Sequence, residues 1–324
     1  MKTYLSVGDF HDLAYKTRLR GTAWLARRLR LSGLARTVAT WDETQLPPTN
    51  WWTVPAIRER WNTLATGKPD WEYQDYVTET YLKGRTGLAA LSVGSGTGTH
   101  DRKWARHPCF SRFEGLDLSP HCVNEAIRQA RIAGLTNLQY RCANIYTEKF
   151  TEGQFDVVIF HSSLHHFKNL PELLTRIRSA LAPDGLLVIH EYTGPDRLQW
   201  TTRQLAEVNR LLAQTPLEFR LLWGTNQPKH RVYCPGIWRM IASDPSEAVA
   251  SSTIVPTLRK LFKPVEEKPL GGNLLHLFLK DIAHHFSQPT PAAKQHLHNL
   301  MAAEDQFLAT SGEPSDFLFG IYRK

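Results

Sequence analysis

The sequence predicts an α/β chain built on a doubly wound sheet of seven strands. Three observations carry this: apolar runs of strand length alternate with helical segments, a glycine cluster follows the first run, and an acid ends the second. The first run is Leu88-Ala89-Ala90-Leu91-Ser92-Val93, leading into Gly94-Ser95-Gly96-Thr97-Gly98. A helical segment follows, and a second strand over 113–118 carries Asp117. An acid roughly 20 residues beyond a glycine turn is where a Rossmann-like sheet sets a carboxylate against ribose hydroxyls. Glycine lets the backbone approach a ligand with no Cβ in the way. The spacing is G-x-G-x-G, and Thr99 stands where a dinucleotide fingerprint has its third small residue.

The remaining elements follow in order. Ser119-Pro120 is an N-cap and first-turn pair, opening a helix that stops at Gly134. Strands are expected at 137–142 and 155–160, the latter a continuous apolar run suited to burial on both faces. Pro171 opens a helix that ends before Pro183-Asp184-Gly185, and strand 186–191 follows. Residues 197–215 read as helix and 216–252, rich in Arg, His, Trp and Pro, as an insertion. A helix over 254–262 precedes a strand at 264–269. Leu275, Phe278, Ile282 and Phe286 keep a helical period, with a strand at 274–279 as the alternative. A helix over 292–309 and a terminal strand over 316–322 complete the chain.

Residues 1–70 are expected to form a helical, Trp-rich extension over a domain spanning 71–324. A basic helix is expected at 12–36, with breaks at Gly21 and Gly33. Five of the ten tryptophans (Trp41, Trp51, Trp52, Trp61, Trp71) lie in 41–71, as core anchors or as lining of a substrate mouth. Of the net charge of +8, residues 1–36 supply +6, from eight Lys/Arg against Asp9 and Asp12. Such a segment suits a solvated face, an anionic substrate, a membrane surface or nucleic acid. No apolar stretch reaches the roughly 20 residues that span a bilayer. The N-terminus lacks a signal-peptide core, and the four cysteines form no C-x-x-C pair, which points to a reducing cytoplasm.

Several stretches together resemble the class I S-adenosylmethionine (SAM) methyltransferases: Leu91 to Gly98, Gly115-Leu116-Asp117-Leu118-Ser119, Phe155 to His161 with Ser162-Ser163-Leu164-His165-His166, and Leu181 to Ile189. The likeness covers about 71–195, and the flanks resemble a bacterial subgroup of methyltransferase-domain proteins. It implies SAM as cofactor, held by Gly94, Ser95, Gly96, Gly98, Asp117, Leu118, Asn144 and His161. Asn144 stands where the family usually has Asp after strand 3, and its amide oxygen can still accept from an adenine amine.

Candidate catalytic groups belong at the carboxyl ends of strands. His165, His166 and Glu191 are the expected set, one of the histidines removing a proton, with Glu191 as a base, a substrate hydroxyl acceptor or an internal partner for Arg. His190, Tyr192, His230, Arg231 and Tyr233 are the neighbouring candidates, and each also has a purely structural reading. No metal is expected, because the loop after strand 4 offers histidines and serines rather than carboxylates, and His284-His285 reads as helix surface. The expected activity is methyl transfer to oxygen on a small or carrier-linked metabolite, a saccharide or other polyhydroxylated compound. Two alternatives stay open: an RNA methyltransferase, although neither an Asp/Asn-Pro-Pro-aromatic nor a Pro-Cys motif is present, and a SAM-binding scaffold without catalysis.

Overall fold

The computed structural model describes residues 2–20, 37–38 and 50–324. Trp41, Gly21 and Gly33 therefore lie outside the described residues, as does the expected helix beyond residue 20. Seven strands form one sheet: β1 (Leu88–Val93), β2 (Phe110–Asp117), β3 (Leu138–Cys142), β4 (Phe155–His161), β5 (Leu181–Tyr192), β6 (Lys263–Gly271) and β7 (Phe317–Arg323). Their order is β3-β2-β1-β4-β5-β7-β6, parallel through β5, with β7 antiparallel to both β5 and β6. The terminal strand thus slots between β5 and β6, so the sheet is mixed.

The strand residues explain the layering. Successive side chains on a strand point to opposite faces. Ala90, Val157, Ile159, Leu186 and Val188 enter one core, and Leu91, Val93, Val158, Phe160, Leu187 and Ile189 enter the other. Apolar residues at both parities therefore require helices on both faces. Those helices are α2 (Pro55–Thr66), α3 (Tyr73–Tyr81), α4 (Thr99–Ala105), α5 (Pro120–Ile132), α6 (Leu170–Ala180), α7 (Thr202–Gln214), α8 (Ile237–Ser243), α9 (Ile254–Leu261), α10 (Leu275–Leu279) and α11 (Pro291–Ser311), preceded by α1 (Val7–Arg20). Ser119 caps α5 by accepting from Cys122 N at 3.0 Å, and Thr201 with Gln204 forms a reciprocal capping box on α7. The period at 275–286 resolves as α10 and a 3₁₀ turn over Ala283–Phe286, so the strand alternative fails there.

Among the described residues of the N-terminal segment, two acids make the ion pairs that dock it. Asp9 Oδ1 accepts from Gly236 N (2.9 Å) and Arg239 Nε (2.7 Å), and Asp12 pairs with Arg239 and Lys16, each at 2.8 Å. This ties α1 to α8, in the expected insertion. The tryptophans divide. Trp51 is buried edge-on to Trp61 and Phe317, and Trp61 Nε1 donates to Leu270 O (3.1 Å), whereas Trp52 is 50% exposed.

Glu304 of α11 holds the junction between β6 and α10. Fully buried, it accepts from the backbone N–H of Gly272 (3.0 Å), Leu274 (2.8 Å) and Leu275 (2.9 Å). A Glu304→Leu variant leaves these three donors without their acceptor. Each buried orphan costs about 1–3 kcal/mol, so we expect at least about 3 kcal/mol of lost stability in urea unfolding. A loss below about 1 kcal/mol would show that water replaces the carboxylate.

Candidate active site

The loop after β1 is shaped by its glycines. Gly94, Gly96 and Gly98 take φ of 73°, 53° and 70°, the left-handed region that side chains with a Cβ rarely adopt. Gly94 N and Ser95 N donate to Leu116 O (2.8 and 3.0 Å), strapping the loop to β2. Asp117 Oδ2 accepts from Gly96 N and Oδ1 from Ser119 N, both at 2.8 Å. One carboxylate thereby fixes both the glycine loop and the start of α5. A Cβ on Gly98 would strike the Tyr140 hydroxyl, whereas a Cβ on Gly96 would meet nothing within 4 Å. Space therefore stands open over Gly96, beside Asp117.

Strand order brings the other expected cofactor residues to the same edge. Asp117 pairs in register with Cys142, and Ala143 N donates to Asp117 O (2.9 Å), which sets Asn144 beside Leu118. The Asn144 Oδ1 already accepts from Tyr146 N (3.1 Å), so this amide shapes its own turn. His161 ends β4, next to the loop in the sheet, and its Nδ1 meets the Tyr73 hydroxyl at 3.0 Å. It stacks on His100 (centroids 3.4 Å) and on His190 (4.8 Å). Burial pushes all three imidazoles down, His161 well below its ordinary value, His100 to about 3 and His190 to about 4. The stack is neutral near pH 7.

Sequence reasoning missed Asp101, which looks like any acid in a first helical turn. It is 3% exposed, near Ser92, Ser95 and the Tyr140 hydroxyl, and its Oδ2 is buried with no hydrogen-bond partner among the described residues. Burial raises its carboxyl to about 6, against the lowering by those polar neighbours.

The second group lies at the ends of β4 and β5. Glu191 is fully buried. Its Oε2 accepts from Ser163 N (2.8 Å) and Leu164 N (2.6 Å), and its Oε1 from Tyr192 N (2.9 Å) and His165 Nδ1. Four donors thus occupy its two oxygens, and one of them is the His165 ring. Burial disfavours its charge, but His165 and the backbone donors outweigh burial and hold it below the usual carboxylate range. Burial likewise pulls His165 down, and the Glu191 charge overcomes this and raises it. His166 is lowered, by burial first and then by the neighbouring His165.

Two further acids, Asp244 and Glu247, arrive from the insertion, some 80 residues away; the stretch 244–248 belongs to the flanks that carry the subgroup resemblance, but neither acid was expected at the site. Ser246 Oγ donates to Asp244 Oδ1 (2.6 Å) and faces His166 Nδ1 at 3.0 Å. Glu247 lies 3.8 Å from His165 Nε2 and 4.0 Å from His166 Nε2. Glu247 also lines a cavity of about 950 Å³ whose wall includes Trp52, Trp200, Arg231, Tyr233 and His276. Arg231 and Tyr233 thus reach the cavity, while His284 and His285 lie on the 3₁₀ turn before α11.

Residues 91–189 match the methyltransferase domain family, a stretch that contains the glycine loop, Asp117, Asn144, His161, His165 and His166. This chain carries a class I SAM-dependent methyltransferase domain. The chain is 29% identical over 126 residues to a non-reducing polyketide synthase of Penicillium brevicompactum, covering 36% of this chain and 5% of that protein. It is 28% identical over 126 residues to a methyltransferase of Penicillium decumbens, covering 36% of this chain and 34% of the other. The match thus spans well under two thirds of these relatives' length. The phosphoethanolamine N-methyltransferase 2 of Haemonchus contortus, solved in complex with SAM, shares the fold at a TM-score of 0.51 and 16% identity, over 91% of this chain and 60% of that one. SAM is the cofactor of the methyltransferase class. The open space over Gly96, beside the Asp117 carboxylate, leaves room for it, with no pyrophosphate to cradle.

Two predictions follow from this geometry. Gly96→Val puts a branched side chain into the open space at a φ of 53°. Calorimetric titration should show SAM binding lost while circular dichroism is retained, and Asp117→Ala should weaken binding by about 1.5–3 kcal/mol, the range for a hydrogen bond to a charged group. Unchanged affinity in both variants would remove the loop from the cofactor site. Asp101 supplies a pH signature. Its carboxyl titrates near 3.8 in the unfolded chain and about 6 in the folded one, so the folded state holds a proton that the unfolded state has released between those values. Its contribution to stability is present below about 4 and is lost as pH rises to about 6. The stability of Asp101→Asn relative to wild type should therefore climb from pH 4 to 6 and level off above; a flat difference would place Asp101 in contact with water.

Proposed function

We propose that the protein transfers the methyl group of SAM to a hydroxyl oxygen of a small or carrier-linked acceptor, a saccharide or another polyhydroxylated compound. The observation that carries this reading is the single sheet edge that holds both the cofactor row on β3, β2, β1 and β4 and the His165–His166 pair just past β4. SAM supplies an activated methyl. The residues of this chain then have three tasks: to align the acceptor, to exclude water and to take a proton.

The tautomers favour His166 as the proton acceptor. Because Ser246 spends its hydroxyl proton on Asp244, its oxygen accepts from His166 Nδ1–H, which leaves the His166 lone pair on Nε2. Glu191 does the same for His165 by accepting at Nδ1. Both Nε2 atoms lie on the side of Glu247, which opens on the cavity. Trp52, Trp200 and Tyr233 give that cavity the flat faces on which sugar rings stack, and Arg231 gives it a cation for an anionic group or carrier linkage. Residues 1–20 act in this reading as a cap, since Tyr15, Lys16 and Arg18 contribute to the same wall.

The test is a panel of hydroxylated and amine acceptors assayed with isotopically labelled SAM. Oxygen methylation of a polyhydroxylated acceptor is expected; exclusive methylation at nitrogen or carbon, or of RNA, would replace the reading. With a substrate in hand, His166→Ala should lower kcat by about 10²–10⁴, the usual contribution of a general base, with SAM affinity unchanged. Deletion of residues 1–36 should also spare SAM binding while reducing turnover. Wild-type kcat in His166→Ala would mean that alignment alone drives transfer, and wild-type turnover after the deletion would refute the cap.

A further inference from the structure

We propose that His165 Nε2, His166 Nε2 and one oxygen of Glu247 bind a single divalent cation of the zinc or ferrous class, with at least one coordination position left toward the cavity. Three independent features of the structure converge on this. The first is geometric. One ligand atom from each residue lies within 4.8 Å of the others; Glu247 Oε1 stands 3.8 Å from His165 Nε2 and Oε2 stands 4.0 Å from His166 Nε2. Bonds of about 2.0–2.2 Å in a tetrahedral site separate ligand atoms by about 3.4 Å. A movement of up to about 1.4 Å, within the reach of a rotamer change in the partly exposed Glu247 side chain, closes the difference.

The second feature is the outer shell. Histidines that bind metals hand their other ring N–H to a carboxylate, carbonyl or water, which fixes the tautomer and makes the free nitrogen a better donor. Here both do so: His165 Nδ1 to buried Glu191, and His166 Nδ1 through Ser246 to buried Asp244. The two rings lie 4.1 Å apart at their centroids, so both lone pairs converge on one carboxylate. The third is donor type. Two imidazoles and a carboxylate suit zinc or ferrous iron, whereas magnesium and calcium select all-oxygen sets. With three protein ligands and the fourth position open, the set has the composition of a catalytic rather than a closed structural site.

A cation here occupies the electron pairs that otherwise take a proton. Loaded, the site would hold the acceptor oxygen and lower the pKa of its hydroxyl. This consequence rests on the acceptor reading given above; binding itself does not, and is read without SAM or acceptor.

The experiment is calorimetric titration of the tag-free, chelator-treated protein with Zn²⁺, paired with Co²⁺ absorption, whose visible bands report a low-coordinate nitrogen–oxygen site. One equivalent is expected to bind. Glu247→Gln, which alters only a half-exposed side chain, and His166→Ala should each weaken binding by at least about tenfold with the circular dichroism spectrum retained. A His284→Ala/His285→Ala double variant should bind as wild type. Absence of one-equivalent binding, unchanged affinity in both Glu247→Gln and His166→Ala, or binding lost in the His284/His285 variant would each overturn the site. If metal binds as stated yet no hydroxylated acceptor is methylated, the function reading fails alone.

Discussion

The buried Glu191 carboxylate is the interaction on which the acceptor side of this site depends. The chain leaving β4 must turn sharply, and Ser162 does so with a φ of 49°. The backbone N–H groups of Ser163 and Leu164 then point into the protein with no strand partner. Glu191, at the end of the neighbouring strand, accepts both, and with its other oxygen accepts from Tyr192 N and His165. A carboxylate taken from water is costly unless its oxygens are filled. Here four donors fill them, so the charge is tolerated only in the conformation that places His165. Catalytic geometry and local fold are in this sense one constraint.

The same logic recurs at Asp117 and Glu304. Asp117 joins the glycine loop to α5, and Glu304 joins β6 to α10. Each junction gathers backbone N–H groups that no ladder or helix satisfies, and each uses an acid from a neighbouring element to satisfy them. Carboxylates suit this role because each oxygen accepts more than one bond. Two of the three sit at the carboxyl edge of the sheet, where the backbone must also leave room for ligand.

What was legible in the sequence follows from how local the determinants are. The apolar runs at β1, β4 and β5 and the turn residues Gly134 and Pro120 act over a few positions, so these elements could be placed within a few residues. The glycine loop and Asp117 carry their own spacing. The placement of β7 between β5 and β6 is a long-range choice that no local pattern records. Glu247 and Asp244 received no site role from the sequence, because their partners stand some 80 residues earlier. Net charge misled in another way. The N-terminal segment is basic overall, yet among its described residues Asp9 and Asp12 make the ion pairs to Arg239. Composition counts charges, whereas docking depends on which ones are desolvated and paired.

The division of labour along the sheet edge explains why so much histidine collects there. His161, His100 and His190 are stacked, buried and neutral, so the end of β4 next to the glycine loop carries no imidazolium charge. His165 and His166 lie a few residues on, within reach of Glu191, Asp244 and Glu247, where negative groups outnumber them. A protonated imidazole or a bound cation is favoured on that side and disfavoured on the other. Burial is similar in both places, so the difference is made by where the carboxylates stand. The insertion after β5 supplies two of them, Asp244 and Glu247, so the charge around His165 and His166 is set by sequence outside residues 91–189, the stretch that matches the methyltransferase domain family.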